Sequence, residues 1–77
     1  MNTKIKTSKE ISTLIKKKRR QKKLSQSELA ESCGLGRRFV SELENATKNR
    51  YDLNLALRVL QRLGFEIIAK DKEDSSS

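Results

Sequence analysis

The chain contains no histidine and a single cysteine, Cys33. Those two shortages remove whole classes of chemistry. A lone cysteine closes no internal disulfide. Without histidine it builds neither a zinc site nor a Cys–His nucleophile. There is no phosphate-cradling glycine loop, and 77 residues leave little volume for a pocket. No cofactor is expected, and an enzyme is the least favoured reading. No apolar run approaches the ~20 residues that span a bilayer. Residues 1–10, MNTKIKTSKE, lack the apolar core of a signal peptide. The expected location is therefore the reducing cytoplasm.

What the chain has in excess is positive charge. Eighteen basic and ten acidic side chains leave a net charge of +8. That balance suits a polyanionic partner. The charge is also localised. Residues 1–23 hold ten basic side chains and one acid, Glu10, so the other 54 residues are close to neutral. Most of it sits in KKKRRQKK, residues 16–23. Clustering of this kind marks a binding face, and Lys16, Arg20, Lys22 and Lys23 are expected to meet nucleic-acid phosphates. A membrane surface is disfavoured, because this segment lacks an aromatic or broad apolar face.

One small domain is the most that this length allows, and a core so small is marginal without a second subunit. Residues 1–7 read as a flexible basic arm. Ser8 is a suitable N-cap for a first helix, whose stripe is Ile11, Leu14 and Ile15. Lys18 continues that stripe, with its stem against the core and its head in water. Ser25 and Glu28 have the spacing of a capping box and open a second helix. Leu29 and Cys33 share its inner face, and Gly34 stands where a helix end needs a left-handed residue. Leu35 tucks back over that end, and Gly36 is a weak N-cap for the next helix. This third helix, from about Arg37 to Glu44, turns Val40 and Leu43 inward. Phe39 packs from the side. On the opposite face Arg37, Ser41 and Asn45 are spaced by four, as are Arg38 and Glu42.

Residues 46–51 break the periodicity. Asp52 then caps a fourth helix, Leu53 to Leu63, with an apolar stripe of Leu53, Ala56, Leu57, Leu60 and Leu63. Gly64 ends it. Phe65 to Lys70 is short, β-branched and aromatic, and reads as a strand. One strand makes no sheet alone. The expected solution is antiparallel pairing with a second copy across a two-fold axis, with Phe65, Ile67 and Ile68 in the dimer interface. Residues 71–77 read as a disordered tail. The domain organisation is thus an arm at 1–7, a helical domain at 8–64, a dimerising strand at 65–70 and a tail at 71–77.

Two short helices around Gly34-Leu35-Gly36 make a compact corner. Ala30 is small where the helices touch, Gly34 tolerates positive φ, and Val40 and Leu43 anchor the second helix. This pattern resembles the helix-turn-helix of phage-repressor (XRE, Cro/C1-type) regulators, with Gln26 as its first residue. A closer resemblance, carried by GLGRRFVSELEN and LRVLQRLGFEI, is to HipB-type antitoxins. It implies an all-α, lambda-repressor-like domain of four to five helices with one C-terminal β-strand paired across a homodimer. It also implies a bacterial or phage origin and a place on the nucleoid. Arg19 and Glu44 match a structural ion pair of the repressor family. Gln26 matches a position touching phosphate or adjacent bases, and Ser27 beside it reaches backbone or base edge. Arg37 and Arg38 match the first turn of the recognition helix, where base readout concentrates, and their guanidinium forks suit guanine. Gly36 departs from the side chain usual there. Ser41 and Glu42 reach further bases, with Glu42 favoured as an orienter of Arg38. Lys48 and Arg50 are expected on phosphates.

The resulting expectation is a sequence-specific repressor that binds a palindromic operator in double-stranded DNA. It acts as a homodimer and neutralises a HipA-type serine/threonine kinase toxin. Two rivals stand beside it. One is a stand-alone phage-type or restriction-modification control regulator with no toxin. The other is a toxin-neutralising interaction module whose DNA binding is secondary.

Overall fold

The computed structural model describes residues 4–45, 52–69 and 71. Four helices account for the regular structure among these: α1 (Ser8–Gln21), α2 (Gln26–Cys33), α3 (Arg37–Asn45) and α4 (Leu53–Arg62). α3 packs against both α1 and α2, and α4 closes the other side of α2. Ile15, Leu29, Val40, Val59 and Leu63 are fully buried, with Leu43 almost so, and these six side chains come from every helix and its flank. Ala30 and Ala56 are buried among them, so that neighbouring backbones approach closely. Cys33 is a free, buried thiol in the same cluster.

Each helix stops for a reason that can be named. At the end of α2 the Leu35 N–H donates to the Ala30 carbonyl and the Gly34 N–H to Glu31. Gly34 sits at φ 71°. This is a Schellman ending, with the apolar residue after the glycine folded back on the helix. The same arrangement closes the α4 turn, where Phe65 donates to Leu60 across Gly64 at φ 93°. It also closes α1, where Leu24 donates to Arg19. There the left-handed residue is Lys23, at φ 59°, a position at which a side chain is disfavoured. Helix starts are equally local. The Ser25 hydroxyl accepts from the Glu28 N–H at 3.0 Å, and the Glu28 carboxylate accepts from the Ser25 N–H at 2.8 Å. The Asp52 carboxylate accepts from the N–H groups of Asn54 and Leu55.

Several expectations need correction. Thr7, not Ser8, is the N-cap of α1, and it caps without a side-chain bond. The Glu10 carboxylate reaches back to the Lys6 N–H instead, and Ser8 supplies its carbonyl to the buried Ser12 hydroxyl. Leu53 is 60% exposed. The buried face of α4 runs through Ala56, Val59, Leu60 and Leu63, and Leu53, the first helical residue, overhangs its edge. Phe65 to Ala69 carries no strand pairing within the chain. A strand needs a second edge for its hydrogen bonds, and this chain supplies none among the described residues. Phe65 is half-buried against its own core in the single chain. Ile67 and Ile68 remain 47% and 77% exposed. Lys48, Arg50 and Lys70 lie outside the described residues, as do the end of the arm and most of the tail.

Candidate nucleic-acid interface

The site is built around one carboxylate. Glu44, at the last turn of α3, has a fully buried side chain. Its Oε2 accepts from Arg19 Nε at 2.5 Å and its Oε1 accepts from Arg19 Nη2 at 3.0 Å. This two-pronged pair ties α1 to α3, and it reflects the fit of a planar guanidinium to a carboxylate. The third arm of Arg19, Nη1, donates to the Leu24 carbonyl at 2.6 Å, just before α2 begins. A single arginine therefore joins the first helix, the turn into the second, and the end of the third. Gln26, the first residue of α2, adds its Nε2 to the same Glu44 oxygen at 3.2 Å. With these partners in place no buried side-chain nitrogen or oxygen among the described residues lacks a hydrogen bond.

On this scaffold the N-terminal turn of α3 is presented to solvent. Arg37 and Arg38 are both exposed, and the Arg38 side chain is 91% accessible. Arg38 Nε donates to Glu42 Oε1 one turn on at 3.1 Å, which leaves most of its fork for another partner. Ser41 accepts from Asn45 at 3.3 Å and is half-buried. Ser27 is exposed at the start of α2. Both helices therefore direct their first turns outward, with side chains suited to hydrogen-bonding base edges and phosphates.

The basic tract is divided among three tasks. Arg19 is used inside. Lys18 is half-buried, and its Nζ lies 5.7 Å from the centre of the Phe65 ring, within cation–π range. Arg20, Lys22 and Lys23 form the outward part: Lys22 and Lys23 are exposed, while Arg20 and Lys16 are accessible beside them. Lys16 and Arg20 help to line a shallow open concavity with Thr13, Lys17, Gln21 and Glu44. The Gln26–Glu44 bond, the Leu24 clasp, the left-handed Lys23 and the Lys18–Phe65 contact were not read from the sequence. One signal was present for Lys23: Lys23-Leu24 repeats the pattern of Gly34-Leu35 and Gly64-Phe65.

Two helices at a glycine corner, the second with an exposed arginine tip, define a DNA-binding helix-turn-helix unit. The sequence profile of the helix-turn-helix family matches residues 15–68, and the chain belongs to that family of transcriptional regulators. An uncharacterized HTH-type transcriptional regulator of Sinorhizobium fredii, y4mF, is 40% identical over 67 residues, 87% of each chain. The fold is also similar to HipB in a complex described as HipB-O4 20mer, with a TM-score of 0.82 and 27% identity over 92% of this chain and 99% of that one. A HipA-HipB-O2-O3 complex contains a chain similar to the same degree, with a TM-score of 0.82 and 27% identity over 92% of this chain and 99% of that one. Among the described residues no helix is long and apolar enough to cross a membrane.

Proposed function

We propose that this regulator is an autorepressor that binds a palindromic operator as a homodimer and serves as the antitoxin of a HipA-type kinase. The observation that carries this reading is the match to HipB over nearly the whole of that chain, including a HipB bound with HipA. Arg37 and Arg38 read bases, with Ser27, Ser41 and Glu42 beside them. Glu42 acts chiefly by orienting Arg38, to which it is bonded. Lys16, Arg20, Lys22, Lys23, Lys48 and Arg50 supply affinity on phosphates through counterion release. Ile67 and Ile68, exposed in the single chain, meet their counterparts in a two-stranded ribbon, with Phe65 anchoring its root. The two recognition helices then lie about 34–36 Å apart, one turn of DNA.

Footprinting on the chain's own promoter tests this. Protection of a symmetric site at low salt is expected, and absence of protection contradicts autorepression. A second reading is a stand-alone regulator without a toxin; the Sinorhizobium protein, 40% identical, carries a name that gives only an HTH-type transcriptional regulator. A kinase gene beside this one, and co-purification of its product, decides for the antitoxin. Retention of that complex without operator DNA, together with loss of promoter protection, decides for an interaction module.

A further inference from the structure

α1 packs on α3, and α4 packs on α2. The Lys18–Phe65 contact joins α1 directly to the chain beyond α4. Lys18 follows Ile11 and Leu14 on the half-buried stripe of α1, where a plain apolar side chain would bury as well. Its ammonium adds direction. It lies over the Phe65 ring, 5.7 Å from the centre, and a cation is drawn to the negative face of an aromatic ring rather than to its edge. Among the described residues no carboxylate forms an ion pair with it. The ring is thereby held with one face toward the Lys18 ammonium.

Phe65 is also the last anchored residue before an unanchored stretch. Its N–H donates to the Leu60 carbonyl at 3.0 Å across Gly64, and its ring packs on the core. Residues 66–69 are exposed and make no backbone hydrogen bond to the other described residues. The backbone turn fixes where this segment starts, and the ring contact fixes the direction in which it leaves. On α1 the contact lies one turn from Lys22, since residues four apart are neighbours on a helix.

Granted that the protein binds an operator as a dimer paired through residues 65–70, as proposed, this contact stands between the helix that carries phosphate-binding cations and the segment that carries the two-fold axis. A dimer reads two half-sites only where their separation matches that of its recognition helices. One added base pair moves a half-site by about 3.4 Å and turns it by roughly 35°. A stiff joint discriminates against that change, and a loose joint follows it. We infer that Lys18 is a positioning residue for half-site spacing, which fixes the ribbon relative to α1 by holding the Phe65 ring. In this role it touches neither base nor phosphate.

Full-length wild-type protein is first used to enrich duplexes from a random double-stranded library. The best duplex is then remade with one base pair added or removed between the half-sites, and separately with single changes inside a half-site. All are titrated with wild type, Lys18→Met, Lys18→Arg and Phe65→Leu, each checked by thermal melting and by its mass in solution. Lys18→Met keeps the buried stem and removes the cation, Lys18→Arg keeps a cation, and Phe65→Leu keeps an apolar side chain without the ring. Lys18→Met and Phe65→Leu are expected to lower the preference for the enriched spacing about fivefold, the size of an exposed cation–π contact. Base preferences inside a half-site stay as in wild type, and Lys18→Arg keeps the wild-type spacing preference.

An undiminished spacing preference in Lys18→Met overturns the proposal. Equal weakening of every duplex by Lys18→Met also overturns it and makes Lys18 a phosphate ligand. Lys18→Arg behaving as Lys18→Met removes the cation from the account and overturns it too. Should Phe65→Leu not fold, the Lys18→Met and Lys18→Arg pair decides, because that exchange lies at a half-buried position outside the fully buried core. Failure of the underlying reading looks different: wild type then enriches no sequence, or binds isolated half-sites as a monomer, and Lys18 has no spacing to set.

Discussion

Arg19 and Arg38 are the same residue in opposite situations. The Arg19 side chain is 11% exposed and makes three hydrogen bonds that join α1, the turn into α2, and α3. The Arg38 side chain is 91% exposed and bonds within its own helix. The difference is in what surrounds the carboxylate partner. Glu44 is buried, so its pair with Arg19 cannot be loosened without leaving a charge in the core. Glu42 stands at the surface, where water competes for the bond and the pair contributes little to stability. One arginine is therefore committed to the fold, and the other is left exposed at the surface.

Substitutions can break this contrast in order of size. The largest effect is expected from Glu44→Ala or Arg19→Ala, each of which strands a buried charge. A loss of about 3–5 kcal/mol in stability is expected, read by denaturant or thermal unfolding. A loss under about 1 kcal/mol would place this pair with surface pairs. Next come Arg37→Ala and Arg38→Ala. Each is expected to cost about 1–3 kcal/mol of discrimination between a selected and a scrambled duplex while leaving the melting temperature unchanged. Lys22→Ala should instead weaken both duplexes alike and lower the salt slope by roughly one.

Ser25→Ala is expected to cost about 1 kcal/mol by removing the cap of α2. That cap also carries a pH signature. The Ser25 backbone N–H, and then its hydroxyl, hold the Glu28 carboxyl below its ordinary value of 4.5. A depressed folded value means that this stabilisation is present above the unfolded value and is lost as pH falls through the folded one. Acidification from about pH 5 downward should thus destabilise wild type more than Glu28→Gln, as read by melting across that range. The smallest effect is of opposite sign. Lys23→Gly relieves a left-handed side chain and is expected to add about 0.5–1 kcal/mol, while weakening DNA binding if Lys23 holds a phosphate.

The parts of this molecule that were legible in its sequence are those written in neighbouring residues. Ser25 and Glu28, three apart, announce the start of α2, and Gly34 followed by Leu35 announces its end. Arg37 and Arg38 at the head of α3 announce its exposed first turn. What was hidden depends on separation or on competition. Gln26 and Glu44 are 18 residues apart, and their bond exists only once α2 and α3 have packed. Val59 lies inside and Leu53 outside because two helical stripes share Ala56, Leu60 and Leu63, and packing against the core selects the one that runs through Val59. Phe65, which reads as a strand residue, also packs on the core beside Lys18 across the Gly64 turn, a contact between residues 47 apart in the chain that no local pattern announces.

The most direct test combines both sides of the contrast in one protein. The double variant Arg37→Ala, Arg38→Ala is titrated against the selected and the scrambled duplex, with its melting curve alongside. If one arginine serves the fold and the exposed pair serves DNA, the variant keeps the wild-type melting temperature and its binding to the scrambled duplex. It then loses at least about thirtyfold of its preference for the selected one. Equal loss on both duplexes, or a collapse in stability, would contradict that division.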